Sequence, residues 1–195
     1  VRGTKDMPMP KFIDSWMYAW MINNFHNYGW TQILSRFLRK YKDMSYYEFY
    51  NRLWVLIQED NGHVKQLFDT AKAQLTEYLE TGIADGFSGH TLMWSAQSDF
   101  HKQPLKILEF VDKSFSEEWL DIPKKYYSPL MKAQTFFVSH YQFEYPMKMI
   151  FDYNFIEYIN NDVELVKDKT EYTLDLIMPC DSEEEYMDRM YYKRR

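Results

Sequence analysis

The five histidines are the first residues in this chain whose spacing could support chemistry. A helical di-iron carboxylate centre needs two Glu-x-x-His motifs facing one another. Asp60-Asn61-Gly62-His63 has that spacing, but with Asp in the Glu position, across a predicted helix end, and the sequence holds no second copy. His140 and Glu144 lie four apart, a separation that lets one helix present both to a metal. It is also the separation of an ordinary surface pair on a helix. His63, His140 and Glu144 are therefore the set on which a metal- or small-molecule-dependent helical enzyme would rest. The solvated pair is the stronger reading, so no metal, cofactor or catalytic residue is expected.

The remaining chemistry is thinner. His90 follows Ser88-Gly89 and His101 stands two residues after Asp99. No Gly-x-Ser-x-Gly elbow accompanies them. The glycines at 82, 86 and 89 have neither Walker nor dinucleotide spacing. Cys180 is the single cysteine, which excludes an internal disulfide framework, a Cys-x-x-Cys-His haem attachment and most thiolate metal sites, and makes a reducing compartment the default.

Composition points towards packing. Aromatic residues make up 19% of the 195, and 12 methionines add adaptable apolar volume. Large rings supply area at low rotamer cost and are enriched where chains meet. The formal net charge of −6 argues against a general nucleic-acid binder, although Arg36–Lys42 and Lys193–Arg195 are local basic patches. The densest apolar run, Trp16–Ile22, is far too short to span a bilayer, so no transmembrane segment is expected. The chain opens on Val1 rather than Met, as expected where an upstream segment such as a targeting peptide has been taken off.

The elements that must position these residues read as mainly helical. Residues 1–10 form an extended arm, with Pro10 also suited to the first turn of a helix over Lys11–Phe25. His26–Gly29 breaks that helix, and Thr31 is placed to cap Gln32–Tyr41. Ser45-Tyr46-Tyr47-Glu48 is a capping box opening a third helix. That helix is expected to stop at Asn61-Gly62 in a left-handed cap. His63–Thr81 follows with Gly82 as its stop, then a long loop over Ile83–Gln103, a short helix over Pro104–Asp112 and a turn at Ser116–Leu120.

Ser128–Asn161 carries nine Phe and Tyr residues in 34 positions. Leu130, Ala133, Phe137 and Tyr141, then Met147, Ile150, Asn154 and Tyr158, fall at helical steps. The expectation is two aromatic helices, the first capped by Ser128 with Pro129 at its first position, joined at Tyr145-Pro146. After Asn161 the period changes to two. Val163 and Leu165, then Tyr172, Leu174 and Leu176, predict a hairpin turning at Lys167–Thr170. Such a ribbon is marginal alone and needs something to lie on. Asp181 or Ser182 then caps a terminal helix, acidic early and basic late.

The order Met178-Pro179, Asp181, Glu183-Glu184-Glu185, Tyr186, Arg189, an aromatic pair and Lys193-Arg194 resembles one family. It is the matrix-side helical subunit of the mitochondrial cytochrome bc1 complex, often called the ubiquinone-binding protein. The resemblance covers about 20 residues of the 195; the preceding residues differ, and that family continues for several turns beyond this end. It implies a segment that packs peripherally against other subunits at the inner membrane and does no chemistry.

The sequence thus predicts a mainly α, single multi-helix domain over 11–161, following the arm, with a hairpin and terminal helix over 162–195. The expected function is a non-catalytic structural or accessory subunit of a large assembly, with a mitochondrial respiratory-chain complex as the expected one. Its partners are other protein subunits and lipid headgroups, with Tyr186, Arg189, Met190, Lys193 and Arg194 as the contact residues. A helical enzyme and a phage or viral structural component are the alternatives.

Overall fold

The computed structural model describes residues 7–27, 29–82, 104–138 and 146–174. Of these residues 72% are helical, in eight α-helices, and a small antiparallel two-stranded sheet accompanies them, so the fold is mainly α. The chain divides into two compact units, Val1–Asp121 and Ile122–Arg195.

In the first unit α1 spans Met9–Ile22 with Pro10 in its first turn, where a missing N–H is harmless. It runs on into a π-helical turn, Asn23–Asn27, and the chain reverses at Gly29, whose φ of +88° suits a residue without a Cβ. Next, α2 (Gln32–Lys42) buries Ile33, Leu34, Phe37 and Leu38 and ends on Asp43 in the left-handed region (φ 57°). The capping box is real: Glu48 N donates to Ser45 Oγ at 3.2 Å and Ser45 N donates to Glu48 Oε2 at 2.7 Å, opening α3 (Tyr46–Glu59). Those two bonds hold the Glu48 carboxyl below its ordinary pKa.

Asn61-Gly62 is not a left-handed cap. Asp60 ends α3 in extended backbone (φ −68°, ψ 150°), and Gly62 is the extended residue preceding α4 (His63–Thr81). Glycine fits there for a steric reason, since a Cβ would stand 3.0 Å from an Asp60 carboxylate oxygen. The predicted limits of α4 hold, and Gly82 closes it at φ +70°. Two further helices, α5 (Pro104–Ser114) and α6 (Ser116–Leu120), complete the unit.

Aromatic side chains join these helices. Phe68 of α4 meets Trp20 of α1 edge-on at 5.2 Å and Trp54 of α3 at 6.3 Å. Phe115, at the α5–α6 junction, stacks on Phe49 of α3 with ring centroids 4.4 Å apart and planes 11° apart. Arg52 lies over the Phe115 ring at 5.4 Å and pairs with Glu118, whose side chain is nearly buried. At the end of α2, Lys42 donates to Asp121 Oδ2 at 2.9 Å; Asp121 is exposed, so this pair contributes at most about 1 kcal/mol.

In the second unit α7 spans Lys124–Val138, beginning earlier than expected. Ser128 does not cap it, and Pro129 lies inside it, forgoing one main-chain bond. The larger correction concerns the second aromatic helix. Met147–Tyr153 is a strand, β1, and only Phe155–Asn160 (α8) is helical. The expected turn Lys167–Thr170 is itself strand, the start of β2 (Lys167–Leu174), which pairs with β1 rather than with Val163–Leu165. The register sets Met147 opposite Leu174, Met149 opposite Tyr172 and Phe151 opposite Thr170, with an irregularity between Phe151 and Tyr153.

The ribbon lies on α7, the support that a two-stranded sheet needs. Phe151 is buried edge-on against Phe136 at 5.6 Å, and Tyr153 meets Tyr126 at 5.1 Å. Lys148, Ile150 and Asp152 alternate outward, as period two requires. Asn154 fastens the far end: its side chain accepts from Val166 N at 2.8 Å and donates to Glu164 O at 3.0 Å. The Tyr172 hydroxyl donates to Glu157 Oε2 at 2.6 Å, and burial first, then that carboxylate, raises the phenol pKa.

The loop 83–103 with His90 and His101, the residues His140 and Glu144, and the terminal segment with Tyr186, Arg189, Met190, Lys193 and Arg194 lie outside the described residues. Among the described residues no helix is long and apolar enough to cross a membrane.

Candidate functional site

Among the described residues of the first unit, a buried polar network at the π turn gathers several chemically capable side chains. It is built from residues that serve the backbone first. Thr31 stands before α2, where a cap was expected, but its hydroxyl donates to Phe25 O at 2.9 Å, and its N–H donates to the same carbonyl at 2.7 Å. Both bonds close the reversal after the π turn, where widened helical geometry leaves the carbonyl of Phe25 facing the returning chain. Four residues on, Ser35 sits on the buried face of α2 and donates to Gln32 O at 3.2 Å. Asn24, also buried, donates to Trp20 O at 2.8 Å.

Tyr50 of α3 gathers these groups. Its hydroxyl is 3.1 Å from Ser35 Oγ, 3.2 Å from Thr31 Oγ1 and 3.0 Å from His26 Nδ1. Thr31 and Ser35 also donate to main-chain carbonyls, so their hydroxyls join the backbone of the turn and of α2 to the Tyr50 phenol, and His26 reaches the same oxygen through Nδ1.

Burial, offset only in part by the Ser35 and Thr31 hydroxyls, pushes the Tyr50 phenol up to about 12, so it stays protonated. Burial first, and then the nearby Arg36 guanidinium, lowers the pKa of His26. Tyr46 meets the His26 ring at 5.1 Å, and Arg39 lies over Tyr46 at 4.6 Å. The network meets the surface at one half-buried imidazole, His26.

This has a pH consequence. A histidine whose folded pKa is depressed binds its proton more readily in the unfolded chain, so stability rises with pH between the folded pKa and the ordinary value of 6.5. Acidification below that value is expected to lower the melting temperature, and His26→Gln should flatten the dependence. Equal slopes in the two proteins would contradict it.

Of the alternative metal set only His63 lies among the described residues. His63 opens α4, its Nε2 buried without a hydrogen-bond partner, and His140 and Glu144 are outside the described residues. Among the described residues no group of three or more His, Cys, Asp or Glu is placed to hold a metal ion. His26, Thr31, Ser35 and Tyr50 carry no sequence motif. The one available signal was Ser35, a hydroxyl in the apolar stripe of Ile33 and Phe37.

A second feature lies on the outer side of α1 and α3. Tyr18 packs edge-on to Trp54 at 5.6 Å, and Tyr47 is close enough that its phenol, after burial, helps raise the Tyr18 pKa. Tyr47 is 72% exposed and Val55, two helical turns further along, 44%. No protein-family profile matches this chain, and neither does any curated protein or solved structure.

Proposed function

We propose that this chain is a non-catalytic accessory subunit of a larger assembly and that it docks through the aromatic surface of α1 and α3. The carrying observation is exposed Tyr47 and Val55 beside half-buried Tyr18 and Trp54, apolar area left against water on a unit that already has a packed core. Aromatic side chains of this kind dominate the energetics of protein contacts because they bury much area for few rotors. The polar network around Tyr50 supports the same reading, since its Thr31 and Ser35 hydroxyls hold main-chain carbonyls. The residue order of the tail, with Tyr186, Arg189, Met190, Lys193 and Arg194, points to a respiratory-chain complex at the mitochondrial inner membrane as the assembly.

The test is the double variant Tyr47→Ser/Val55→Ser. Both side chains are exposed, so stability should change by no more than about 1 kcal/mol. Co-purification with partner proteins from the native source should fall at least tenfold. Undiminished co-purification at unchanged stability would show that this surface does not dock.

A further inference from the structure

The ribbon of the second unit has one guarded edge and one open one. Among the described residues the sheet holds two strands, so β1 and β2 each have one ladder neighbour. Strand edges of this kind recruit further strands unless something blunts them. The edge of β2 is blunted. It opens with Lys167-Asp168-Lys169, and the two steps of β1 from Phe151 to Tyr153 answer three steps of β2 from Thr170 to Lys167, which places the extra residue in β2. Charges and an extra residue both discourage further pairing. Between Met147 and Tyr153, β1 has neither an extra residue nor a proline or glycine, and Ile150 on its outer face is 55% exposed.

We propose that β1 pairs with β1 of a second copy of this chain, antiparallel and centred on Ile150. The outer face of the strand reads Lys148, Ile150, Asp152, and a two-fold axis at Ile150 sets each Lys148 opposite the Asp152 of the other copy. The register follows from the charges. A centre moved by one residue sets Lys148 or Asp152 against Ile150, and a centre moved by two sets like charges opposite one another. The Asp152 carboxylate has no ion-pair partner among the described residues. Lys148 meets Glu171 of β2 at 3.5 Å, but both side chains are exposed, and an ammonium has donors enough for a second carboxylate. Ile150 faces its own copy across the axis, which removes its side chain from water. The axis stands perpendicular to the sheet, so both copies of α7 stay on one face, and two marginal ribbons become one sheet of four strands. This edge belongs to the second unit, and the inference does not rest on docking through α1 and α3.

The experiment measures the mass of the full chain in solution over a concentration series, by sedimentation. The expected result is a reversible equilibrium between 23.9 kDa and twice that value. Lys148→Asp leaves the outer face of β1 with carboxylates alone and Asp152→Lys leaves it with ammoniums alone, so each variant should pair with itself about tenfold more weakly. Mixed in equal amounts, the two variants carry opposite charges at both contacts, and a heterodimer should form where neither pairs with itself. A monomer at every concentration, a dimer that neither variant weakens, or folded variants that do not pair on mixing would each overturn the proposal. Hydrogen exchange in the unaltered chain gives a second reading that needs no variant. Amides of Met147–Tyr153 that point away from β2 should gain protection as concentration rises, with no matching gain along β2. Full protection already present in the monomer would mean that the edge is covered from within the chain, which overturns the proposal as well.

Discussion

Phe115→Ala is expected to destabilise the first unit by about 3–5 kcal/mol, a large share of the total for a domain of this size. The ring is fully buried at the junction of α5 and α6. One face stacks on Phe49 at 4.4 Å, and Trp119 lies 6.4 Å away. Arg52 covers it and at the same time pairs with Glu118 Oε1 and donates to Ser114 O at 3.4 Å. Truncation therefore removes the ring's transfer free energy, leaves a cavity against Phe49, and loosens the support of a nearly buried carboxylate. Chemical denaturation should show a lower midpoint at unchanged slope, and Phe115→Leu should recover part of the loss. A cost below about 1 kcal/mol would mean that α5 and α6 are not tied to α3 through this ring.

Phe151→Ala should do comparable damage to the second unit, about 3–5 kcal/mol, and its effect should be local to the ribbon. Phe151 is buried between Phe136 of α7 and Tyr172 of β2, with ring centroids at 5.6 and 5.4 Å. A two-stranded sheet has no second layer of its own, so this side chain supplies much of what keeps it on the helix. Hydrogen exchange should show the amides of Met147–Tyr153 and Lys167–Leu174 losing protection together. Protection that survives the substitution would show that the Asn154 clamp and the ladder hold the ribbon without its apolar anchor.

The helices of the first unit were legible because several signals agreed at each. Ser45 and Glu48 marked one start, and Gly82 marked one end, each through a bond or a φ value that the structure contains. The failures came where one run of residues satisfied two periods. Met147, Ile150, Asn154 and Tyr158 step helically, while Met149, Phe151 and Tyr153 alternate, and the second set is the one that packs. With aromatic residues at both spacings, periodicity alone cannot decide, and the partner strand decides it. That partner was misread because an exposed ribbon needs few apolar residues, so Lys167–Thr170 resembled a turn. The polar network was hidden for another reason. Its members are 24 residues apart at the extremes, and only folding brings His26 to Tyr50.

We propose that this chain works inside an assembly rather than as a free enzyme. The most direct test is the native mass of the particle that contains the chain when recovered from its source without denaturation. The prediction is a particle far heavier than the 23.9 kDa of the sequence, with other proteins in fixed ratio and no metal bound by His63, His140 or Glu144. A lone 23.9 kDa monomer with a sharp, cooperative melt would contradict it, the more so if it carried one metal per chain that is lost in His140→Ala.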